Sequence, residues 1–534
     1  MIFRHRRLYK KKPESTYGPA KADDSDQKNY ISDNLDVNIG NIKAEIASSD
    51  LIVNLSKSHP DKHIRFACIH IDNLISNQML SSYSVELGKI LVSDESMETE
   101  NPKELFNLLD NHFSSMRRVS QGSSLEKVLD SLLSGELVLL IDGYDKFLSI
   151  DAYSPEGRAV EEPTSQSIVR GPKEGFTERI GINIALIRKR IRDKSLKSEN
   201  LTIGNRTKTK VTLMYINDLA KQEIIDEIRR RLNAIRIDGI LESGYIAELI
   251  KDNRYSIFPA FLNSEKPDTV AACLLEGKAA ILVDGTPFVL TAPALFVEFF
   301  QASEDYYHQF HIATFVRIIR CIAFIFSIFV PSLYIALASF HQEMIPTPLL
   351  ISMLAAHEGV PFPTAVEVFV MEAVFEILRE AGIRMPRIIG QAISIVGALV
   401  LGQAAVDAGI ISAMIVIIVS VTAISSFAIP NYSMGNAARI LRFIFMLITS
   451  VFGLFGIFMF TIILLLELCR LKSVGVPYMS PFAPKAKNAL KDTILRFPLW
   501  KSMTRPEGIS TDTSKRVDDK EIVTAKQKKQ PEFR

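Results

Sequence analysis

Two patterns of apolar residues divide this chain at about residue 310. Before that point, short apolar runs alternate with segments that are apolar on one side only. Runs such as Phe66–Ile75 and Leu132–Gly143 are β-branched in part and bounded by Gly or Asp, which is how a strand buried on both faces reads. Between them, Leu105–Met116 and Ile224–Leu232 carry apolar residues at helical spacing, as helices lying on a sheet do. The pattern predicts an α/β region.

That region repeats itself. LLSGELVLLIDG at Leu132–Gly143 matches LLEGKAAILVDG at Leu274–Gly285, 142 positions later, and FACIHIDNLI at Phe66–Ile75 aligns with VTLMYINDLA at Val211–Ala220, 145 positions later. Two ordered matches at nearly equal offsets predict two related subdomains, 31–150 and 178–300, joined by a linker over 151–177 that holds Pro155, Pro163 and Pro172. Asp142 and Asp284 each precede a glycine and read as turn residues. In the linker, Arg170 and Lys173 flank flexible backbone and could hold an anion, touch another subunit, or pair within a hinge. Their spacing fits neither a P-loop nor a dinucleotide fingerprint. The basic helix predicted over Ile184–Ile191, with Arg188, Lys189 and Arg190, reads as a subunit contact or a solvated face.

From 301 to 484 the apolar runs reach membrane length. Spans are predicted at about 321–340, 388–406, 410–430 and 440–466, each long enough as a helix to cross or nearly cross the hydrocarbon layer. Thr364 followed by Glu367 is a helix-start pattern, and the helix predicted over 364–380 carries Glu372, Glu376 and Glu380 on one face. Along 388–406, Gln391, Ser394, Ala398 and Gly402 fall on one narrow face opposite Val396 and Val400, which suits either tight helix packing or a water-lined path. Gly453 and Gly456 interrupt the last span at a spacing that favours close helix contact.

Charge leaves the topology open. Arg317 and Arg320 before the first span place that end in the cytoplasm, and the loop from His341 to Glu358 has no Lys or Arg, as an outer loop should. If 364–378 crosses, Arg379, Arg384, Arg387, Arg439 and Arg442 fall inside but the basic tail falls outside. If it is only partly inserted, the tail returns inside and those arginines face out. The reading adopted is a partly inserted acidic helix with a cytoplasmic tail.

The net charge of +2 excludes little, but both ends are rich in Lys and Arg, so 1–30 and 485–534 are expected to be disordered polar tails. No apolar run follows the first basic residues, so no secretory signal is expected and the α/β region should be cytoplasmic. The four cysteines are scattered, without a zinc or disulfide spacing. His308 and His311 lack a third ligand and read as ordinary helix residues. No catalytic motif is present, so neither an enzyme activity nor a metal or cofactor is expected.

Several words in the chain resemble one family. EGVPFP, FEILREAGIRMP and IGQAISIVGALVLGQAAV within Glu358–Gly409, VRGPKEGF at Val169–Phe176 and SFAIPNYSMG at Ser426–Gly435 are similar to the A subunit of bacterial spore germinant receptors of the GerA type, over roughly 33–484. The resemblance implies a multi-pass protein of the spore inner membrane that responds to nutrients with a transporter-like B subunit and a lipoprotein C subunit. It further implies a homo-oligomer in membrane lipid that forms a gated cation channel and has no nucleic-acid partner. Carried onto this chain, Gln391, Ser394, Ala398 and Gly402 would line the pore, with Glu372 and Glu376 attracting cations. Pro361, Pro363, Pro386 and Gly409 would be hinges, since each interrupts or bends a helix. The alternative is a non-conducting scaffold or a transporter subunit of a nutrient-sensing complex. The expected fold is an α/β soluble region of two related subdomains followed by an all-α membrane domain.

Overall fold

The computed structural model describes residues 30–59, 62–92, 101–153, 162–163, 166, 168–384, 402–485, 492–499, 505 and 508–511. The chain divides into two compact units, one comprising residues up to 47 with 51–154 and the other 48–50 with 155 onward.

The first unit contains α1 (Leu35–Ile46), β1 (Leu51–His59), β2 (Lys62–Ile71), α2 (Asn77–Val92), α3 (Pro102–Met116), β3 (Val119–Gly122), α4 (Leu125–Leu133), β4 (Glu136–Ile141) and β5 (Phe147–Asp151). Its five strands pair antiparallel in the order β1-β2-β4-β5-β3. The apolar run of β4 is buried at five of six positions because helices cover both faces of the sheet. Phe113, Leu105 and Tyr83 of α2 and α3 pack on one face with Phe66, Leu139 and Ile141, and α1 and α4 bury Leu35, Ile39, Val128 and Leu132.

The second unit begins with the same architecture: α5 (Ile180–Arg190), β6 (Leu196–Ile203), β7 (Thr209–Ile216), α6 (Gln222–Ala234), α7 (Ser243–Leu249), β8 (Leu262–Ser264), α8 (Pro267–Leu275), β9 (Ala279–Val283) and β10 (Val289–Ala292). The sheet order is β6-β7-β9-β10-β8, position for position that of the first. The repeat found in the sequence extends to register. Phe66 faces Ile141 across β2 and β4, and Val211 faces Val283 across β7 and β9, each residue displaced by the offsets of 145 and 142 read from the sequence.

Beyond the second sheet come the short α9 (Glu304–Tyr307), the long apolar α10 (Phe310–Ser339), α11 (Thr347–His357), α12 (Thr364–Arg384), a helical stretch over 402–407, α13 (Ala413–Phe427) and α14 (Tyr432–Arg470). The single span predicted over 440–466 is instead broken. At Gly453 the backbone leaves helical geometry (φ 58°, ψ −143°), and the rings of Phe445 and Phe460 meet at 4.7 Å. In a straight helix those two residues would stand about 22 Å apart, so α14 is a hairpin of two antiparallel helices. Glycine is required at the tip by the positive φ and by crowding, since a Cβ there would stand 3.0 Å from the Phe340 ring.

The hairpin brings both ends of α14 to the second sheet. Asn431 at its start donates to Asn263 at 3.3 Å, and Glu467 near its end accepts from Asn253 at 3.0 Å. Ser473, just beyond, donates to the Ala260 carbonyl at 2.6 Å. The end of the bundle beside the second sheet is the near end, and the end at Phe340 and Gly453 is the far end. A core of Ile335, Val368, Ile411, Ile415 and Met446 joins α10, α12, α13 and α14.

Candidate functional site

The acidic face of α12 enters the helical bundle. Glu372 is fully buried, and Arg442 of α14, also fully buried, donates to it at 2.5 Å and to Glu376 at 3.1 Å. Arg439, one turn earlier, donates to Glu376 at 2.8 Å and also to Asn436. Glu380 pairs with Arg384 at 2.7 Å on the surface. Arg379 lies over the Phe427 ring at 5.4 Å. Both carboxylates expected to attract cations are thus neutralised in this conformation by arginines more than 60 positions away. Removing one partner of such a buried pair costs roughly 3–5 kcal/mol, because it strands the other charge. The sequence held a signal for the pairing: Arg439 and Arg442 share one helical face inside an apolar run.

At the far end, Glu367 is buried and joins three segments. One carboxylate oxygen accepts the backbone N–H of Ser412, the residue before α13, at 2.8 Å, and the other lies 3.0 Å from Nδ1 of His357. The residue predicted to cap its own helix therefore serves a neighbouring one. Pro361 and Pro363 lie in the turn before α12, and Gly409, at φ 65°, turns the chain beside the Gly359 carbonyl. Gly402 is buried, with Val416 of α13 3.4 Å from where its Cβ would be. Gln391, Ser394, Ala398 and Pro386 lie outside the described residues.

At the near end, a cavity of about 760 Å³ separates the second α/β copy from the α13–α14 link. One of the family-like words lines it, through Phe427–Asn431, opposite Ile168, the residue just before another. Buried Lys266 and half-buried Asp268 approach to 3.3 Å, while Lys266 also donates to Ser303 at 2.7 Å and Tyr307 donates to Asp268 at 2.5 Å. Burial and that carboxylate hold the Tyr307 hydroxyl well above its usual range. Deeper in, burial alone would lower Lys278, but its ion pair with Glu298 outweighs it and holds the ammonium above its ordinary value.

The tail closes against the same end. Arg317, fully buried at the start of α10, donates to Asp305 at 2.8 Å and to Asp492 at 2.7 Å, and Arg320 reaches Asp305 at 2.8 Å. Ile509 is buried in the core of the second copy beside Val474 and Val476.

In the linker, Lys173 pairs with Glu162 at 2.8 Å and Arg170 is exposed. The basic helix is not simply the solvated face expected: Lys189 is exposed but Arg188 is not. Arg188 is buried and donates to Asp50 at 2.5 and 2.9 Å, while Lys189 and Arg190 pair with Glu174. All four cysteines are free thiols, and no cluster of three metal-ligating side chains occurs among the described residues.

Comparison with known proteins gives a consistent picture. A family model described as "Bacillus/Clostridium GerA spore germination protein" matches residues 33–508. The chain is 44% identical over 483 residues to spore germination protein KA of Bacillus subtilis (strain 168), covering 90% of this chain and 88% of that one. It is 42% identical over 457 residues to the uncharacterized membrane protein YfkQ of the same organism, covering 85% and 88%. Among solved structures it is similar to the N-terminal domain of the A subunit of the Bacillus megaterium spore germinant receptor GerK3, at 37% identity and a TM-score of 0.41, over 50% of this chain and 97% of that domain.

Proposed function

The chain belongs to the GerA family of spore germination proteins, and on that premise we propose that its helical half assembles with copies of itself into a gated cation path. The path would answer to nutrient bound by a transporter-like B subunit, with a lipoprotein C subunit completing the receptor in the spore inner membrane. The observation that supports this most is the bundle's distribution of charge. Arg317, Arg379, Arg439, Arg442 and Arg470 stand at or towards the near end, whereas the far-end segments 340–363, 407–412 and 449–457 contain neither Lys nor Arg. That asymmetry is what a bundle crossing a membrane carries, with the near end cytoplasmic.

The contacts support an order of passes. α10 runs outward, α12 runs back from Glu367 at Ser412 to Arg379 at Phe427, and the chain is again at the far end by Gly409. α13 returns, and the α14 hairpin goes out and back. With one more crossing between α12 and Gly409, six passes would leave both flanks of the helical half on one side and these arginines inside, the arrangement that both charge conditions ask for.

In this reading the face of Gln391, Ser394 and Ala398 is the water-lined wall, and Gly402 ends it by packing on Val416. The Glu372–Arg442–Glu376 group is the charge that gating rearranges, with motion at the Pro361–Pro363 turn, Pro386 and Gly409. Nutrient can shift the closed–open balance only by binding one state more tightly than the other. Burial of Gly402 against Val416 also favours a second reading, in which the whole face is packing and the subunit is a non-conducting scaffold.

Ion flux through reconstituted protein, with and without its B partner, decides between them. Ala398→Trp should cut cation flux by about tenfold or more, as a bulky group in a constriction does, while Val400→Trp should leave flux near normal. Equal behaviour of the two variants, or absence of flux under every condition, favours the scaffold.

A further inference from the structure

The arginines around Glu376 outnumber their carboxylates. Arg379, Arg439 and Arg442 face Glu372 and Glu376, while Glu380 is engaged by the exposed Arg384. Arg379 is within electrostatic reach of Glu376, Tyr432, Arg439 and Arg442, so the group carries one excess positive charge. Three of its N–H donors are buried without an acceptor among the described residues: Nη1 of Arg379, Nε of Arg439 and Nε of Arg442, the last on a fully buried side chain. Buried donors are nearly always satisfied, and excess charge with unmatched donors calls for an anion.

The surroundings narrow its chemistry. Ile377, Ile424, Phe427 and Ile440 beside the group are more than half exposed, and so is Tyr432. Exposed apolar side chains edged by a tyrosine mark the level where acyl chains meet headgroups. Planar guanidinium forks favour an anion that offers several oxygens, which a phosphate does.

From this geometry we infer that Arg379, with Arg439 and Arg442, holds the phosphate of an anionic phospholipid in the leaflet next to the α/β region. The site rests on the reading that the helical half is membrane-embedded, but not on conduction, so a null flux result leaves it standing. Its direct test is lipid retention by the full-length protein in neutral detergent, followed by native mass spectrometry with phosphatidylglycerol, phosphatidylcholine and inorganic phosphate as the three probes. Phosphatidylglycerol should be retained about tenfold more tightly than phosphatidylcholine, as expected when charge-assisted bonds are added to equal acyl burial. Arg379→Gln should abolish that preference, and the variant should still fold because Arg379 has no carboxylate in an ion pair with it among the described residues. Arg384→Gln should keep it, and a thermal melt of each variant reports folding independently. Equal retention of the two lipids, or an undiminished preference in folded Arg379→Gln, overturns the site. Displacement of phosphatidylglycerol by millimolar inorganic phosphate would make the ligand a free anion and overturn the lipid assignment.

Discussion

The two α/β copies share a strand order, a register and a local lock, yet differ in what surrounds them. In the first copy Asp142 accepts the Leu35 N–H at 3.1 Å, and in the second Asp284 accepts the Ile180 N–H at 3.1 Å. Asn38 donates to the Ser32 carbonyl at 2.6 Å, as Asn183 does to that of Thr177. The pairs stand 145 positions apart on the helix side and 142 on the strand side. Each lock thus ties the N-terminus of the copy's first helix to the turn after its central strand. The environments diverge: the second copy shares its core with Val474, Val476 and Ile509, whereas the first forms a compact unit of its own with the segments up to residue 154. A duplicated fold has kept its internal geometry while one copy became the platform for the helices and the tail.

Asp305→Asn should separate the copies most strongly. Asp305 is buried and receives both Arg317 and Arg320. Neutralising it leaves Asp492 as the one carboxylate on Arg317 among the described residues, at a cost of roughly 3–5 kcal/mol. Hydrogen exchange followed by mass spectrometry should show faster opening of peptides from β9, β10 and α10, with β2 and β4 unchanged. Equal acceleration in both copies would mean that they open as one unit.

A smaller effect should follow from removing the lock one copy at a time. Asp142→Ala and Asp284→Ala each remove the acceptor of a helix N–H, part-buried in the first copy and exposed in the second, costing about 0.5–1.5 kcal/mol. Asp142 also receives Arg65 at 2.9 Å, so the first substitution should cost slightly more. The same exchange experiment should place each loss in its own copy.

The sequence made the sheets legible because the repeat preserves the apolar runs of the central strands. It also carried the locks, since SDNLDVN at 32–38 parallels TERIGIN at 177–183, a likeness that matching the apolar words alone passes over. What it hid was long-range. Arg188 has the local context of a solvated helix but finds Asp50, and Glu367 has that of a cap but finds Ser412. Gly453 reads as a packing glycine because it stands in an uncharged run three residues before Gly456; only its positive φ and the Phe445–Phe460 contact reveal the reversal. That one residue turns the single predicted span into two antiparallel helices, a possibility that charge counting over one last span leaves out. The candidate pore face stays an inference from helical spacing, three of its four residues lying outside the described segments.

The subtlest difference between the copies sits at one equivalent position. Tyr215 in β7 donates to Glu199 at 2.7 Å, and Arg229 completes the group at 2.7 and 2.8 Å. Hydrogen bonding to Arg229 keeps Glu199 below the usual carboxylate range, while burial and the Glu199 carboxylate push Tyr215 up to about 12. In the first copy the equivalent residue is His70, and Asn54 and Ser84 stand where Glu199 and Arg229 do. His70 is buried with neither ring nitrogen bonded among the described residues, and burial lowers its pKa despite the opposing charge of Asp72. The unfolded chain takes up a proton near pH 6.5, whereas the folded first copy resists until its own lower value. Its stability should therefore be level above about pH 6.5 and fall by at most about 1.4 kcal/mol per pH unit below it. The fall ends once the folded imidazole is protonated too. Tyr215 does not titrate in that window. Between pH 7.5 and 5.5, exchange corrected for intrinsic rates should accelerate in β2 and β4 relative to β7 and β9, and His70→Phe should remove much of that difference. A difference of full size in His70→Phe would assign the acid sensitivity to another group and leave the two central strands alike in this respect.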